Sequence, residues 1–401
     1  MIKVAIFGFG TVGSGVAEVL DVNRAEIMKR TGMDIEVKYI LDLRDFPGNK
    51  YESKVVHDVD VILNDPEISI CCETMGGKTF AYDYTKRALK AGKSVCSSNK
   101  ELVEAYGPEL IALAKEHDCS YLFEASVGGG IPIIRNINKC LTADKIESIK
   151  GILNGTTNYM LTKMDREGAD YAEVLKEAQA MGYAEQNPTA DVEGHDAGRK
   201  IAILASLACG RTVPYQSLYV EGITGITGMD FKYAAKLGMS IKLIGQCRIE
   251  GEEVFAMVSP CLIQSTNPLY MVNDVFNGIL VHGNMLGDAL FYGAGAGKLP
   301  TASAVCADVV EAAGSLGQHI SCQWTGEQAI LAPQAEQKQT FLVRVAQTGK
   351  EQATALFDVN EFIELEGQPQ ECAFITAEMT EKAFADCYAQ LSGAISRIRM
   401  A

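Results

Sequence analysis

The first fifteen residues constrain this chain more than any other stretch. Ile2, Val4, Ile6 and Phe7 make a short apolar run with strand character, and Gly8-Phe9-Gly10-Thr11-Val12-Gly13 follows at once. Val16, Val19 and Leu20 then begin a helical spacing. A GxGxxG between a strand and a helix has a physical rationale. The first glycine allows the tight turn, the second lets a pyrophosphate approach the backbone, and the third lets the helix pack closely. The helix N-terminus offers free N–H groups and a positive dipole end to the phosphates. In isolation the glycines suit a plain tight turn equally well; their place, directly after the opening strand, favours a dinucleotide. The ribose is read at the end of the second strand. There Asp42 suits a free 2′-hydroxyl and Arg44 a 2′-phosphate, so NAD and NADP both stay open, as does a solvated surface role for either residue.

Strand-like runs at 35–41, 59–63, 68–72, 94–96 and 121–125, each followed by a helical stretch, predict a mostly parallel sheet covered on both faces. Gly128-Gly129-Gly130-Ile131-Pro132 breaks the alternation and closes a doubly wound, Rossmann-type first domain at 1–132. Beyond it, 146–153 reads as a strand, 171–181 and 197–208 as helices, and 240–249, 254–260 and 278–282 as antiparallel strands. This predicts a second, α+β domain over 133–297 with an open sheet. The apolar stretch 301–313, within a helix spanning 298–318, is expected to pack back onto the first domain. Residues 1–321 hold six Gln and residues 322–401 hold ten; with alternating runs at 341–345 and 372–376, the second segment reads as a small folded module.

Composition removes whole classes of function. Thirty-six Lys and Arg against 51 Asp and Glu leave a net charge of −15, which repels nucleic-acid phosphates and anionic lipid. No apolar run approaches the ~18 residues of a membrane helix. The N-terminus shows no small-residue cleavage site. Twelve scattered cysteines without a CxxC spacing suggest reduced thiols and a cytoplasmic protein. His57, His117, His282 and His319 stand alone, without metal-ligand spacing, and read as structural or exposed. HExxH, a nucleophile elbow and a Walker loop are all missing.

Other stretches carry chemistry. Asp196 and Lys200 are four apart and share a face if a helix starts there. A buried Asp holding a Lys amine beside an aldehyde could relay a proton to the developing alkoxide; an ordinary surface ion pair has the same spacing. The loop 151–158, with Gly155 and Thr156, can line a site or simply cap a helix. Lys100 follows a strand at 94–96, at the strand end where α/β sheets bind ligands, or else is a solvent lysine. Gly293-Ala294-Gly295-Ala296-Gly297 is a second glycine-rich approach to a helix.

Taken in order, these pieces resemble homoserine dehydrogenase over residues 1–318. The resemblance rests on FGFGTVGSG (7–15), ETMGG (73–77), SSNK (97–100), EASVGGGIP (124–132), GILNGTTNYM (151–160), the pattern from Ala178 to Lys200, NPLYMV (267–272) and GAGAGKLPTASAV (293–305). It implies reversible NAD(P)H-dependent reduction of L-aspartate 4-semialdehyde to L-homoserine, a step toward threonine and methionine. By the family's motifs Lys200 is the proton donor, Asp196 its partner and Glu185 the grip on the substrate amino group, with Asp191, Gly155 and Thr156 beside the substrate. Lys100 lies between substrate and cofactor, and Gly8, Phe9, Gly10, Thr11, Val12, Gly13, Asp42, Arg44, Thr74, Gly295 and Gly297 meet the cofactor. Backbone carbonyls of Glu124, Val127, Gly129 and Ile131 resemble the family's monovalent cation site, a donor set suited to Na⁺ and not to zinc. A homodimer or homotetramer is expected, since the open sheet of the second domain is best covered by a symmetry mate.

Two departures stand out, His195 where relatives are usually apolar and Ala294 where many have Pro. The tail resembles an ACT-type βαββαβ module, but only 26 residues (346–371) separate its first two evident strands, and Gln347-Thr348-Gly349-Lys350 replaces the Asp-x-Pro-Gly turn that faces the ligand. A trimmed module serving assembly or stability is the expectation. A non-catalytic NAD(P)H sensor would keep the glycines and lose Lys100, Asp196 and Lys200. A dehydrogenase of another semialdehyde would lack GILNGTTN and the Ala178–Lys200 pattern.

Overall fold

Val4, Ala5, Ile6 and Phe7 are completely buried, as expected of a central strand covered on both faces. The computed structural model describes residues 1–401, in two units. The first comprises 1–146, 202–215 and 293–329, and the second 147–201, 216–292 and 330–401.

In the first unit, β1 (Ile2–Phe7), β2 (Ile35–Leu41), β3 (Val55–Val56), β4 (Ile68–Glu73), β5 (Ser94–Ser97) and β6 (Tyr121–Leu122) form one sheet. Its order is β3-β2-β1-β4-β5-β6 and every pairing is parallel. The order reverses beside β1, so the carboxyl ends of β1, β2 and β4 open a crevice. Val16, Ala17 and Leu20 of α1 (Thr11–Val22) pack with Ala302, Val305 and Val309 of a later helix, Lys298–Ala313, against Val4 and Ile6. That helix does return to the first unit, ending earlier than the expected 318. The other helices of this unit are α2 (Arg24–Thr31), α3 (Val59–Leu63), α4 (Thr79–Lys90) and α5 (Lys100–Glu116).

Residues 59–63, expected as a strand, are instead the helix α3. Asp58 accepts from the Asp60 N–H as its cap, and only Val59 and Ile62, three apart, are buried. The expected strand at 121–125 stops at Leu122. Beyond it the Glu124 carboxylate turns into the protein and accepts from the N–H groups of Ile133, Ile134 and Arg135, at 2.6, 2.8 and 2.7 Å.

The second unit is built on a mixed sheet. Its strands are β7 (Ile146–Ile152), β8 (Tyr219–Val220), β9 (Met239–Glu250), β10 (Glu253–Gln264), β11 (Phe276–Gly283), β12 (Gly287–Ala294) and β13 (Ile330–Leu331). A short β14 (Lys338–Gln339) and β17 (Met379–Thr380) pair separately, while β15 (Phe341–Ala346), β16 (Glu371–Ile375) and β18 (Ala394–Met400) join the main sheet. The main order is β12-β11-β7-β9-β10-β18-β15-β16. β9 and β10 form a long antiparallel hairpin, and β18 runs parallel to β10, Cys261 against Arg399.

Helices here are α6 (Gly155–Glu167), α7 (Tyr171–Ala180), α8 (Thr189–Val192), α9 (His195–Cys209, whose last turns count with the first unit) and α10 (Gly228–Lys236). With Lys298–Ala313 as α11, the tail adds α12 (Lys350–Phe357) and α13 (Glu381–Tyr388). The tail has its own apolar cluster, in which the Phe341 and Phe384 rings stack 3.7 Å apart. Between β15 and β16 there is room for α12 and a single bridge, Ile363 to Ala373. No helix of the chain is long and apolar enough to cross a membrane, and all twelve cysteines are free thiols.

Candidate active site

The first glycine turn is shaped by close approach. Gly8 has φ +89°, and a Cβ there would lie 2.9 Å from Met75 Cγ; a Cβ on Gly13 would lie 1.9 Å from the Gly8 carbonyl oxygen. Gly10 has nothing within 4 Å, so its side of the turn is open. Gly10 precedes α1 and brings no capping side chain, which leaves the N–H groups of the first turn, from Thr11 and Val12 on, for a ligand. Thr74 Oγ1 donates to the Gly8 carbonyl at 2.8 Å and fastens the turn to the end of β4.

Asp42, just beyond β2, faces the same turn. Its Oδ2 accepts from the Phe9 N–H at 2.7 Å, and its two oxygens take Nε and Nη2 of Arg44 at 2.9 and 3.0 Å. The Arg44 guanidinium first, then the Phe9 and Arg44 N–H groups, hold the Asp42 carboxyl down at about 2 against the opposing effect of burial. Gly8, Gly10, Asp42, Arg44, His57 and Thr74 line a cleft of about 430 Å³. His57 is a residue that sequence reasoning set aside. Its Nδ1 lies 2.8 Å from the Asp42 carbonyl and Nε2 3.1 Å from the Asp45 carboxylate, and these raise its pKa, the Asp42 carbonyl most. The missed signal was its place directly after β3, a parallel strand whose carboxyl end faces the crevice.

Lys100 opens α5, behind a cap in which Asn99 Oδ1 accepts from the Leu102 N–H at 3.1 Å. The loop 124–131 packs on the second glycine cluster. The Gly130 N–H donates to the Ala294 carbonyl at 3.0 Å, and a Cβ on Gly129 would lie 2.3 Å from the Gly295 oxygen. Gly297, φ +116°, precedes α11. Three N–H groups occupy the Glu124 carboxylate, so this side chain is committed within the protein. No group of three His, Cys, Asp or Glu side chains is placed to hold a metal ion.

In the second unit a separate network forms. Lys200 Nζ donates to Asp196 Oδ2 at 2.8 Å and to the Leu153 carbonyl at 2.9 Å. Both side chains are buried, Asp196 to 3 % exposure and Lys200 to 8 %, so this is not a solvated surface pair. Asp196 lies in the first turn of α9, where the helix dipole favours a carboxylate. Asn154 completes the network, its Nδ2 donating to Asp191 Oδ1 at 2.7 Å and Asp196 Oδ2 at 2.9 Å. Asn154 also caps α6 through the Thr157 N–H, and that familiar role hid the second one from a reading of sequence alone. Gly155 begins α6, where a Cβ would lie 2.6 Å from the Val275 carbonyl, and Thr156 Oγ1 donates to the Tyr183 carbonyl at 2.6 Å. Glu185 sits on an exposed loop, outside the network, its carbonyl accepting from Gln179 Nε2 at 3.0 Å.

Comparison with known proteins bears on both units. Residues 8–124 match the profile described as "Homoserine dehydrogenase, NAD binding domain", and residues 132–310 match "Homoserine dehydrogenase". The chain is 42 % identical to the homoserine dehydrogenase of Bacillus subtilis over 316 residues, which is 77 % of this chain and 72 % of that one. It is 41 % identical to the enzyme of Neisseria gonorrhoeae over 314 residues, 78 % and 72 % of the two chains. The crystal structure of a homoserine dehydrogenase from Thiobacillus denitrificans superposes with a TM-score of 0.91 at 33 % identity, over 100 % of this chain and 98 % of that one. A hyperthermophilic archaeal homoserine dehydrogenase in complex with NADPH gives 0.67 at 27 % identity, over 80 % and 99 %. The glycine turn, the cleft beside it and the buried Lys–Asp pair thus fall inside two matched regions that run in order along one chain, and the chain belongs to the homoserine dehydrogenase family, NAD(P)-dependent oxidoreductases.

Proposed function

We propose that this chain reduces L-aspartate 4-semialdehyde reversibly to L-homoserine, with the proton supplied by Lys200. The observation that carries this reading is the buried Lys200–Asp196–Asn154 network. A nicotinamide cofactor, when bound, supplies the hydride that turns the aldehyde into an alkoxide. Lys200 has three N–H donors, two of them held by Asp196 and Leu153; the third points the reading to the aldehyde oxygen, where the ammonium stabilises charge as it forms and then gives up a proton. Asp196, fixed by Asn154, keeps Nζ in place. Glu185 takes the substrate ammonium, with Asp191, Gly155 and Thr156 beside it, and Lys100 serves at the cofactor side. Oxidation of NADPH by aspartate semialdehyde, followed by its near-ultraviolet absorbance, tests the reading; an inactive, folded protein would refute it.

For the cofactor itself, Gly8 to Gly13, Asp42, Arg44, Thr74, Gly295 and Gly297 are the contacts proposed. NADPH is preferred with substantial NADH use, because Arg44 neutralises Asp42 and can meet a 2′-phosphate. Arg44→Ala should raise the NADPH KM about tenfold, from the loss of a charge-assisted contact, and leave the NADH value alone. Equal effects on both would show that Arg44 never meets the phosphate. The carbonyls of Glu124, Val127, Gly129 and Ile131 are proposed to hold Na⁺, a hard ion suited to neutral oxygens.

The division into a cofactor domain (1–132 with 298–318), a substrate domain (133–297) and a C-terminal module (322–401) belongs to the same reading, as does a cytoplasmic homodimer or homotetramer. The module is proposed as a trimmed ACT relative without a working ligand turn, supported by the helical turn Gln347–Gly349 where Asp-x-Pro-Gly would stand. Millimolar threonine should therefore inhibit the full chain weakly or not at all, and strong inhibition would overturn this.

A further inference from the structure

Glu73, the last residue of β4, is completely buried. It pairs with Phe7 of β1 and Ser97 of β5, at the carboxyl ends of three adjacent parallel strands. One oxygen, Oε1, accepts from the Met75 N–H at 2.9 Å; the other, Oε2, accepts from Ser97 Oγ at 2.5 Å. Ser97 Oγ accepts in turn from the Asn99 N–H at 3.1 Å, and Asn99 Nδ2 reaches back to the carbonyls of Met75 at 3.3 Å and Gly77 at 2.6 Å. These bonds close a ring, Glu73–Ser97–Asn99–Met75. The ring ties the segment carrying Thr74 to the segment carrying Lys100. Neither the proton-transfer network nor the glycine turn accounts for a buried acid at this place.

Both oxygens of Glu73 accept, which is the pattern of the ionised acid. A protonated Glu73 would have to donate. If it donated to Ser97 Oγ, that hydroxyl would have to turn its own hydrogen away from Glu73 while still accepting from Asn99. The buried Tyr121 hydroxyl of β6 lies within the influence of both Ser97 and Glu73, so it is placed to receive a hydrogen that Ser97 turns away from Glu73. Titratable groups on the neighbouring elements are Lys100 at the start of α5 and Tyr84 of α4, whose ring lies against Phe7. On the opposite face Cys72 and Cys96 look toward Cys306 and Asp308 of α11.

We propose that Glu73 is a positioning residue whose ionised form holds the Thr74 and Lys100 segments together, so that the cofactor site is assembled when Glu73 is deprotonated and loosens when it gains a proton. Burial raises its pKa to about 7, against the pull of Ser97, Met75 and Asn99, which puts the change within the working range of pH. The inference rests on the reading that these two segments receive the cofactor.

The test is the dissociation constant of NADH, followed by fluorescence on the full chain from acid to alkaline of neutrality. NADH is chosen because it has no 2′-phosphate to titrate. Affinity of the wild type should rise about tenfold with pH, with its midpoint near 7. Glu73→Gln should stay weak and flat across the range. Ser97→Ala removes a donor from the carboxylate, so it should keep the rise but move the midpoint up by about half a unit or more. That shift also separates Glu73 from His57, which Ser97 does not touch. A Glu73→Gln profile parallel to the wild type, or a Ser97→Ala midpoint that stays put, would overturn the proposal, and the second variant decides alone if the first fails to fold. If Thr74→Val and Lys100→Ala both leave NADH binding intact, the cofactor reading itself fails. If they weaken it while Glu73→Gln follows the wild type, only this inference does.

Discussion

Lys200→Ala is expected to lower kcat by about 10²–10⁴-fold, the range for loss of a positioned proton donor, while the semialdehyde KM changes little. The reason lies in when the interaction counts. An aldehyde oxygen is a modest acceptor, but the alkoxide it becomes carries a full charge, so an ammonium beside it stabilises the transition state far more than the bound substrate. Lys200 is suited to this because Asp196 and Leu153 hold its Nζ in one place, and its burial excludes water from the exchange. Asp196→Asn keeps an acceptor of similar shape and removes the charge, so it should fall between wild type and Lys200→Ala. Steady-state kinetics with matched NADPH titrations check both, because cofactor affinity should stay near normal. A Lys200→Ala protein retaining more than half of wild-type kcat would end the proton-donor role, and a collapse of NADPH binding would make the residue structural.

The largest stability effect is expected far from this chemistry, at Arg344. On β15 it is 5 % exposed, and its Nη1 donates to Asp230 Oδ1 at 2.8 Å while its Nη2 donates to Glu371 Oε2 at 2.8 Å. Asp230, fully buried, also accepts from Ser396 Oγ at 2.6 Å and the Thr227 N–H at 2.8 Å. The group joins α10, β15, β16 and β18 by polar contacts in the interior. Arg344→Ala would leave two carboxylates near one another with no cation between them. Removing one partner of a buried pair costs about 3–5 kcal/mol, equivalent to a Tm lower by roughly 10 °C in a domain of this size. Arg344→Lys keeps the charge but not the planar fork, and should recover only part of the loss. Thermal unfolding followed by circular dichroism measures both, and a Tm within a degree or two of wild type for Arg344→Ala would contradict the account.

Elements whose signal is local were legible in the sequence. The glycine turn, its flanking strand and helix, and the i,i+4 pair on α9 depend on neighbouring residues, and each appears where its pattern lies. What depends on distant partners was not. Residues 59–63 have strand composition, yet one capping Asp and two apolar positions three apart make them a helix. The short strands β8 and β13 exist because β10 offers them an edge. Lys100, Asp196 and Lys200 could be marked as candidates, but burial decided that Asp196 and Lys200 are not a surface pair, and spacing carries no information on burial. His57 and Asn154 were missed for the same reason, since each gains its role from residues distant in sequence.

The place of β18 carries a consequence for synthesis. It is made after every other strand of its sheet, yet it lies inside that sheet, between β10 and β15. A nascent chain that has released residues 239–375 from the ribosome therefore holds the long hairpin and the tail strands with two edges open toward each other. Unpaired edges of this kind are templates for wrong partners, and translation at about 5–20 residues per second leaves them open for seconds before residue 400 emerges. Ribosome stalling between β16 and β18 would lengthen that window, and this half of the protein should then depend on chaperones during its birth rather than afterwards.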